Sequence, residues 1–209
     1  MAAAHGSGSI RTVAFTTPPN YAARLAHLLT LKGFKPLSAP TLIVQPTPST
    51  VAALKPHISP PSLDLFSAVA FPSRTAVAAF SSAAADVPHP LLSPHGDHWV
   101  PVRVNAYETR WAGPGCAEKV VEKIEDGALD AIVFTSTAEV EGLLKSFKEF
   151  GLDWETAKRT CPKMLVAAHG PITAAGAQML GVGVDLVSSQ FGSFQGVVDA
   201  LHTEILRLS

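Results

Sequence analysis

Charge is scarce in this sequence, and no sign of it dominates. Charged residues make up 16% of the 209-residue chain and the formal net charge is −1, against roughly 25% charged residues in ordinary globular proteins. Tracking a phosphate backbone needs a basic face, so nucleic acid is not expected as a partner and only a small local basic pocket has room. Cysteine is scarcer still. Cys116 and Cys161 stand alone, in no paired Cys motif, which excludes a disulfide framework and points to a reducing compartment with structural thiols. No apolar run approaches the length of about 18 residues that a membrane span needs, so no membrane segment is expected. The opening MAAAHGSGSI is too short before the first strand to form a full transit or signal peptide. No strand-to-helix turn carries the glycine pattern of a dinucleotide or phosphate loop, so a nucleotide cofactor is not expected. His89, His95, Asp97 and His98 fall in a proline-rich stretch without a second cluster to complete four ligands, so they read as solvated loop residues rather than a metal site.

What the chain has is apolar patterning. Apolar residues make up 47% of it, enough for a sizeable core. TVAFT (Thr12 to Thr16) reads as a buried strand. A helix with Ala22, Leu25, Leu28 and Leu29 inward follows, closed by Gly33 as a C-terminal cap. Pro36 to Val44 reads as a second strand, broken at Pro40. Prolines at 46, 48, 56, 60 and 61 then leave space only for a short helix around Thr50 to Lys55. FSAVAF, from Phe66, reads as a strand, followed by a helix capped by Ser73 with Val77 and Phe80 inward. From Ser81 to Trp99 there is no period, and the reading is loop. Val100 to Thr109 reads as a strand or extended connector.

The last third is regular. Glu118 to Glu125 forms a helix stopped at Gly127. LDAIVFTS is a central strand, and Ser136 with Glu139 spells a capping box opening a helix that buries Val140, Leu143, Leu144 and Phe147. Lys163 to Ala168 is a strand. Gly170-Pro171 starts a helix with proline in its first turn, Val184 to Ser188 is a strand, and Ser193 caps the final helix. With the opening β-α-β this makes a complete sheet of parallel strands buried on both faces. The middle of the chain supplies one β-α unit. FPSRTAVAAF (Phe71 to Phe80) echoes FTSTAEVEGL (Phe134 to Leu143), either as generic strand-to-helix chemistry or as the trace of a duplicated domain.

Candidate ligand contacts gather at the strand-to-helix turns: Thr16 and Thr17, Ser73, Thr135 and Ser136, the Gly170-Pro171-Ile172-Thr173 turn, and Ser193. In a parallel sheet such turns share one edge, and each helix start offers free N–H groups suited to carboxylates or phosphates. Each hydroxyl reads equally as a simple helix cap. His169, just before Gly170, is either an edge histidine or a contact to an acidic ligand. Trp111 and Trp154 read as packing anchors.

These residues carry a resemblance. AIVFTSTAEVEGLL, AAHGPITAAGAQMLGVGVDLVSSQ and SFQGVVDAL resemble the C-terminal half of uroporphyrinogen-III synthases, with the GP-x-TA turn as the most specific piece. The opening VAFTTPPNYAARLAHLLTLKGFKPLSAPTLIVQP is similar to that family's start, and AVAFPSRTAVAAF to part of its other domain. The resemblance implies two α/β domains, one built from both chain ends and one from the middle, and a flavodoxin-like, doubly wound five-stranded parallel sheet. It implies closure of the linear tetrapyrrole hydroxymethylbilane to uroporphyrinogen III, with inversion of the terminal ring, loss of water and no metal or organic cofactor. It implies a catalytic role for Tyr107, through proton donation to the departing hydroxyl. It implies that Ser136 and Thr173, with adjacent N–H groups, hold substrate carboxylates; Thr16, Thr17, Ser73, Gly170 and Ser193 join them as candidate substrate contacts from their place at the turns alone. A monomer is expected, in the plastid stroma of a plant or alga and in the cytoplasm otherwise.

Two departures from the family pattern stand out. Thr16-Thr17-Pro18 lacks the basic residue usual in that turn. The middle domain, which the family continues through several further β-α units, breaks off after Ala85 into the proline-rich loop. The expected domains are therefore residues 10–40 with 108–209, near complete, and 41–107 as a truncated second lobe and linkers, with one β-α unit at 65–84 and a disordered or loop stretch at 85–99. A truncated second lobe keeps open the alternative of an inactive family member that serves as an α/β scaffold or weak tetrapyrrole binder. Response regulators are set aside for want of an acidic phosphoacceptor cluster.

Overall fold

In the computed structural model of the chain, residues 10–59, 62–85 and 102–208 are described. The elements run β1 (Thr12–Phe15), α1 (Pro19–Leu31), β2 (Lys35–Ser38), β3 (Leu42–Gln45), α2 (Pro48–Ile58), α3 (Arg74–Ala84), β4 (Glu108–Trp111), α4 (Glu118–Glu125), β5 (Ala131–Phe134), α5 (Thr137–Glu149), α6 (Trp154–Thr160), β6 (Leu165–Ala168), α7 (Pro171–Met179), β7 (Leu186–Val187) and α8 (Phe194–Arg207). The chain divides into two compact units, Met1–Leu42 with Trp111–Ser209, and Ile43–Arg110.

The first unit is a five-stranded sheet in the order β2-β1-β5-β6-β7. All four pairings are parallel, with Val13 opposite Ala131, Ala131 opposite Leu165 and Ala167 opposite Leu186. This is the doubly wound α/β sheet that the sequence indicated. Successive residues of a strand point to opposite faces, and the core divides accordingly. Val13, Phe15, Ala131, Val133 and Ala167 pack with Leu25 and Leu29 of α1 and Val197, Val198 and Leu201 of α8. Ala14, Ile132, Phe134 and Val166 pack with Val120 and Ile124 of α4, Val140, Leu143 and Phe147 of α5, and Ala177 of α7. A strand buried on both faces cannot alternate with polar residues, which is why β1 and β5 read as unbroken apolar runs.

Close packing fixes some residue types. A Cβ at Gly176 in α7 would overlap the side chain of Thr137 in α5, and one at Gly196 in α8 would overlap the carbonyl of Gln190. Gly33 (φ +79) and Gly181 (φ +80) follow α1 and α7 in the left-handed region, where a side chain is strained. Trp154 stacks on Phe147 with ring centroids 6.5 Å apart, the anchoring role its sequence position suggested. It also opens α6, capped by Asp153, a helix too short to announce itself by periodicity.

Several sequence expectations are corrected. Pro36 to Val44 is two strands in two sheets: the break at Pro40 sends β2 into the large sheet, while β3 pairs with β4 in a two-stranded ribbon. The helix expected at Thr50 to Lys55 extends over Pro48–Ile58 and carries Pro56 inside it. FSAVAF forms no strand. A 3-10 turn at Ser62–Leu65 precedes it, Val69 and Phe71 are exposed, and no partner strand lies beside it among the described residues, so its apolar run has no ladder to join. Val77 points outward, 44% exposed, and the buried face of α3 is Thr75, Ala76, Ala79 and Ala83. These small residues let α3 lie close against Leu54 and Ile58 of α2. Residues Ser81 to Ala84 continue α3 rather than beginning a loop. Of the stretch from Val100 to Thr109, read as a strand or extended connector, Glu108 and Thr109 lie in β4, and residues 100 and 101 lie outside the described residues. The histidines at 89, 95 and 98, with Asp97, lie outside the described residues.

Candidate functional site

In the order β2-β1-β5-β6-β7 the chain reverses its direction of growth between β1 and β5. In an open parallel sheet that reversal opens a crevice beyond the carboxyl ends of the two strands. Thr16 and Thr17 leave β1 there, and Thr135 and Ser136 leave β5. All are drawn around one carboxylate. Glu139, in the first turn of α5, accepts hydrogen bonds on Oε2 from Thr16 Oγ1 (2.8 Å) and Thr135 N (3.0 Å), and on Oε1 from Thr135 Oγ1 (2.5 Å). Thr17 Oγ1 lies 3.5 Å from Thr135 Oγ1. Thr173, in the first turn of α7, donates to the carbonyl of Thr135 at 3.3 Å.

Ser136 caps α5 by accepting from Glu139 N at 3.4 Å. The capping box is only half made, because the Glu139 side chain takes Thr135 N instead of the cap's own N–H. Glu139 is 2% exposed. Burial pushes its pKa above the ordinary glutamate value of 4.5, and hydrogen bonds from Thr135, Thr16 and Ser136 oppose that shift. The crevice at the switch point is therefore filled by the chain's own acid, with the hydroxyls of Thr16 and Thr135 already donating to it. Sequence reading assigned Glu139 to a cap alone. The signal that it reaches further was the pair of threonines at the ends of β1 and β5, each needing an acceptor once buried.

The neighbouring strand ends are open. Neither α7, starting after Gly170, nor α8, starting after Ser193, has a side-chain hydrogen bond at its cap. Their first N–H groups carry the positive end of the helix dipole and suit carboxylate oxygens. Ile172 is 85% and Phe191 58% exposed beside these starts. His169, the last residue before Gly170, sets its ring edge-on to Phe194 at 5.3 Å. Its Nδ1 is buried without a hydrogen-bond partner in the described structure. Burial lowers its pKa below the ordinary 6.5, a hydrogen bond with the backbone of Phe191 opposing, which favours the neutral ring.

The second unit holds the remaining two candidates together. Ser73 caps α3, accepting from Ala76 N at 3.2 Å, and its hydroxyl donates to the phenolic oxygen of Tyr107 at 3.3 Å. Tyr107 lines a cavity of about 780 Å³ in this unit, with His57, Phe66, Phe71, Phe80 and Arg103. Large apolar pockets with a few polar groups on the wall are the usual form of a small-molecule site. Among the described residues no group of three or more His, Cys, Asp or Glu is placed to hold a metal ion. No described helix is long and apolar enough to cross a membrane.

Part of the chain matches a known family. Residues 97–195 match the sequence profile of Uroporphyrinogen-III synthase HemD. That stretch, just under half of the chain, is similar to the family. The chain's fold agrees: a mutant uroporphyrinogen III synthase of the extreme thermophile Thermus thermophilus superposes with a TM-score of 0.58 at 15% identity, over 94% of this chain and 99% of that one. The wild-type Thermus thermophilus enzyme gives 0.56 at 17% identity, over 95% and 99%. A further Thermus thermophilus uroporphyrinogen III synthase structure gives 0.54 at 15%, over 93% and 99%. No curated protein sequence matches the chain. The five-stranded parallel sheet of this chain matches the fold of those solved enzymes.

Proposed function

We propose that the chain is a uroporphyrinogen-III synthase that binds hydroxymethylbilane and closes it to uroporphyrinogen III. The observation that carries this reading is the hydroxyl pair Ser73–Tyr107 on the wall of an apolar cavity, in a chain whose residues 97–195 match this family. Tyr107 gives its phenolic proton to the terminal hydroxyl of the substrate. The C–O bond breaks, its electron pair leaves with water, and a carbocation stabilised by the adjacent pyrrole remains. Pyrrole carbon is itself nucleophilic, so ring inversion and closure need shape and hydrogen bonds more than activation. Closure releases a ring proton, which returns to the phenolate, and the net loss is one water.

The substrate is rich in carboxylates, and the open starts of α7 and α8, with Gly170, Thr173 and Ser193, are the groups in the first unit that suit them. Glu139 and the hydroxyls bound to it already occupy the β1–β5 crevice, which leaves the carboxylates those helix starts. Thr16, Thr17 and Ser136 then act through the architecture of that crevice rather than by touching substrate.

Purified protein given hydroxymethylbilane is expected to form type III uroporphyrinogen faster than spontaneous closure gives type I. Product that is type I alone refutes the reading. A second reading is a tetrapyrrole binder without turnover. It draws support from the second unit, in which the described residues form two helices and the β3–β4 ribbon but no larger sheet. Tight binding of the substrate with only type I product selects it.

A further inference from the structure

The Ser73–Tyr107 contact has a direction. Ser73 Oγ carries one proton and two lone pairs. One lone pair accepts Ala76 N–H to cap α3, and the proton is directed to Tyr107 Oη at 3.3 Å. The phenolic oxygen is therefore an acceptor in this contact, and its own proton is left for another partner. Tyr107 lies on the cavity wall, where that partner is whatever occupies the cavity. Once the phenol has given its proton away, Ser73 still donates to the resulting phenolate. The start of α3, an 11-residue helix, adds the positive end of its dipole beside the same oxygen. Both place positive charge density at the oxygen that takes up negative charge in the step.

We infer that Ser73 is the positioning residue of the proton donor: it holds Tyr107 with its O–H free and stabilises the phenolate that follows. This rests on the proposed reaction and assigns Ser73 there in place of direct contact with substrate carboxylates. The contact joins residues 34 apart in sequence, one at the start of α3 and one just before β4, so neither residue alone announces it.

Ser73 also caps a helix, and the test separates the two roles. Glycine is nearly as good an N-cap as serine, and the extended φ of −158° at this position suits it. Ser73→Gly thus removes the donated proton while sparing the helix. Ser73→Asp keeps the capping oxygen and, ionised, has no proton to give. Ser73→Thr keeps both functions. With hydroxymethylbilane as substrate and type III product as readout, Ser73→Gly and Ser73→Asp are expected to lower kcat by roughly tenfold or more. General acid catalysis commonly contributes about 10² to 10⁴. KM is expected to change less than about twofold, since no substrate carboxylate is assigned to Ser73. Ser73→Thr keeps kcat within about threefold. In a Tyr107→Phe background, Ser73→Gly causes no further loss, because the two act as one unit. Thermal melts of each variant report the cap separately.

A wild-type protein that forms only type I product refutes the parent reading, and the role of Ser73 with it. A wild-type protein that forms type III product, with Ser73→Gly and Ser73→Asp equally active or raised in KM alone, overturns the assignment of Ser73 and leaves the reaction standing. Additive losses from Ser73→Gly and Tyr107→Phe overturn it as well. Should Ser73→Asp fail to fold, Ser73→Gly and the double variant decide.

Discussion

The carboxylate of Glu139 accepts the hydroxyl proton of Thr16 at 2.8 Å, across 123 residues of chain. That one bond ties the end of β1 to the start of α5 at the point where the sheet reverses its winding. A buried acid with its pKa held above the ordinary 4.5 has a definite consequence for stability. In the pH window between its unfolded and its raised folded value, the folded chain binds more protons than the unfolded one. The contribution is then fully present below the unfolded pKa and lost as pH rises through the folded pKa.

Replacing Glu139 by glutamine tests this directly. The amide oxygen can take the place of Oε2 and accept from Thr16 and Thr135 N, while the amide nitrogen donates to Thr135 Oγ1. Glu139→Gln is expected to be as stable as the parent, or more so, at pH 7, and to lose its advantage as pH falls toward 5. Glu139→Ala leaves buried donors without an acceptor and is expected to cost about 2–4 kcal/mol. Denaturant melts across pH check both. A parent chain that gains relative to Glu139→Gln as pH rises would show that the acid is favoured in its charged form, against the burial argument.

Most of the first unit was legible in the sequence, because a strand buried on both faces must be apolar throughout. TVAF and AIVF declare themselves, and so do the helices whose faces follow the 3.6-residue period, such as Val140, Leu143 and Phe147. FSAVAF failed for the converse reason. Its composition is that of a strand, but a strand exists only with a partner, and partners are not written locally. Val77 and Phe80 read as the inward face of α3 from their spacing, but Val77 is exposed. The buried face is Thr75, Ala76, Ala79 and Ala83, with Ala79 and Ala83 in one cluster with Leu54 and Ile58 of α2. At the site, the hydroxyls were visible as residue types while their partners were not. Thr16, Thr173 and Ser73 turn toward Glu139, Thr135 and Tyr107, each from a distant segment.

Trp111 and Cys116 share Ser146. The indole Nε1 of Trp111 donates to Ser146 Oγ and to the carbonyl of Gly142, both at 3.1 Å, and Cys116 Sγ lies 2.8 Å from the same hydroxyl. Burial raises the Cys116 thiol above its ordinary value, with Ser146 and Trp111 opposing. The thiolate is the reactive form. Native protein at pH 7 is therefore expected to alkylate at Cys116 several-fold more slowly than a free peptide thiol, with Cys161 slower still because it is 4% exposed. Mass spectrometry after timed iodoacetamide treatment measures it. Labelling at the peptide rate would contradict the assignment.

Gly176 lets α7 lie against α5. A methyl group there meets the side chain of Thr137 inside van der Waals contact. Gly176→Ala is expected to destabilise by about 1–3 kcal/mol, despite alanine's higher helix propensity. Thr137→Ala added to it should recover part of the loss, since the nearest clashing atoms are the hydroxyl and methyl of that threonine. Urea melts of the two single variants and the double check the coupling. A Gly176→Ala protein more stable than its parent would mean that the helices separate at little cost.

Thr173 and Ser193 begin the two helices proposed to receive carboxylates, and their hydroxyls differ in what they already bind. The hydroxyl of Thr173 is committed to the carbonyl of Thr135, and the residue is 7% exposed. That of Ser193 makes no cap bond. Thr173→Ala should cost about 1 kcal/mol of stability, the net worth of one buried hydrogen bond, and leave KM nearly unchanged because the backbone N–H groups of α7 remain. Ser193→Ala should leave stability within about 0.5 kcal/mol and raise KM for hydroxymethylbilane several-fold, a lost charge-assisted hydrogen bond being worth more than a neutral one. Melting curves and initial rates on the two variants decide the matter. Loss of stability from Ser193→Ala with KM intact would make that hydroxyl a structural group and move the carboxylate contacts onto backbone N–H groups alone.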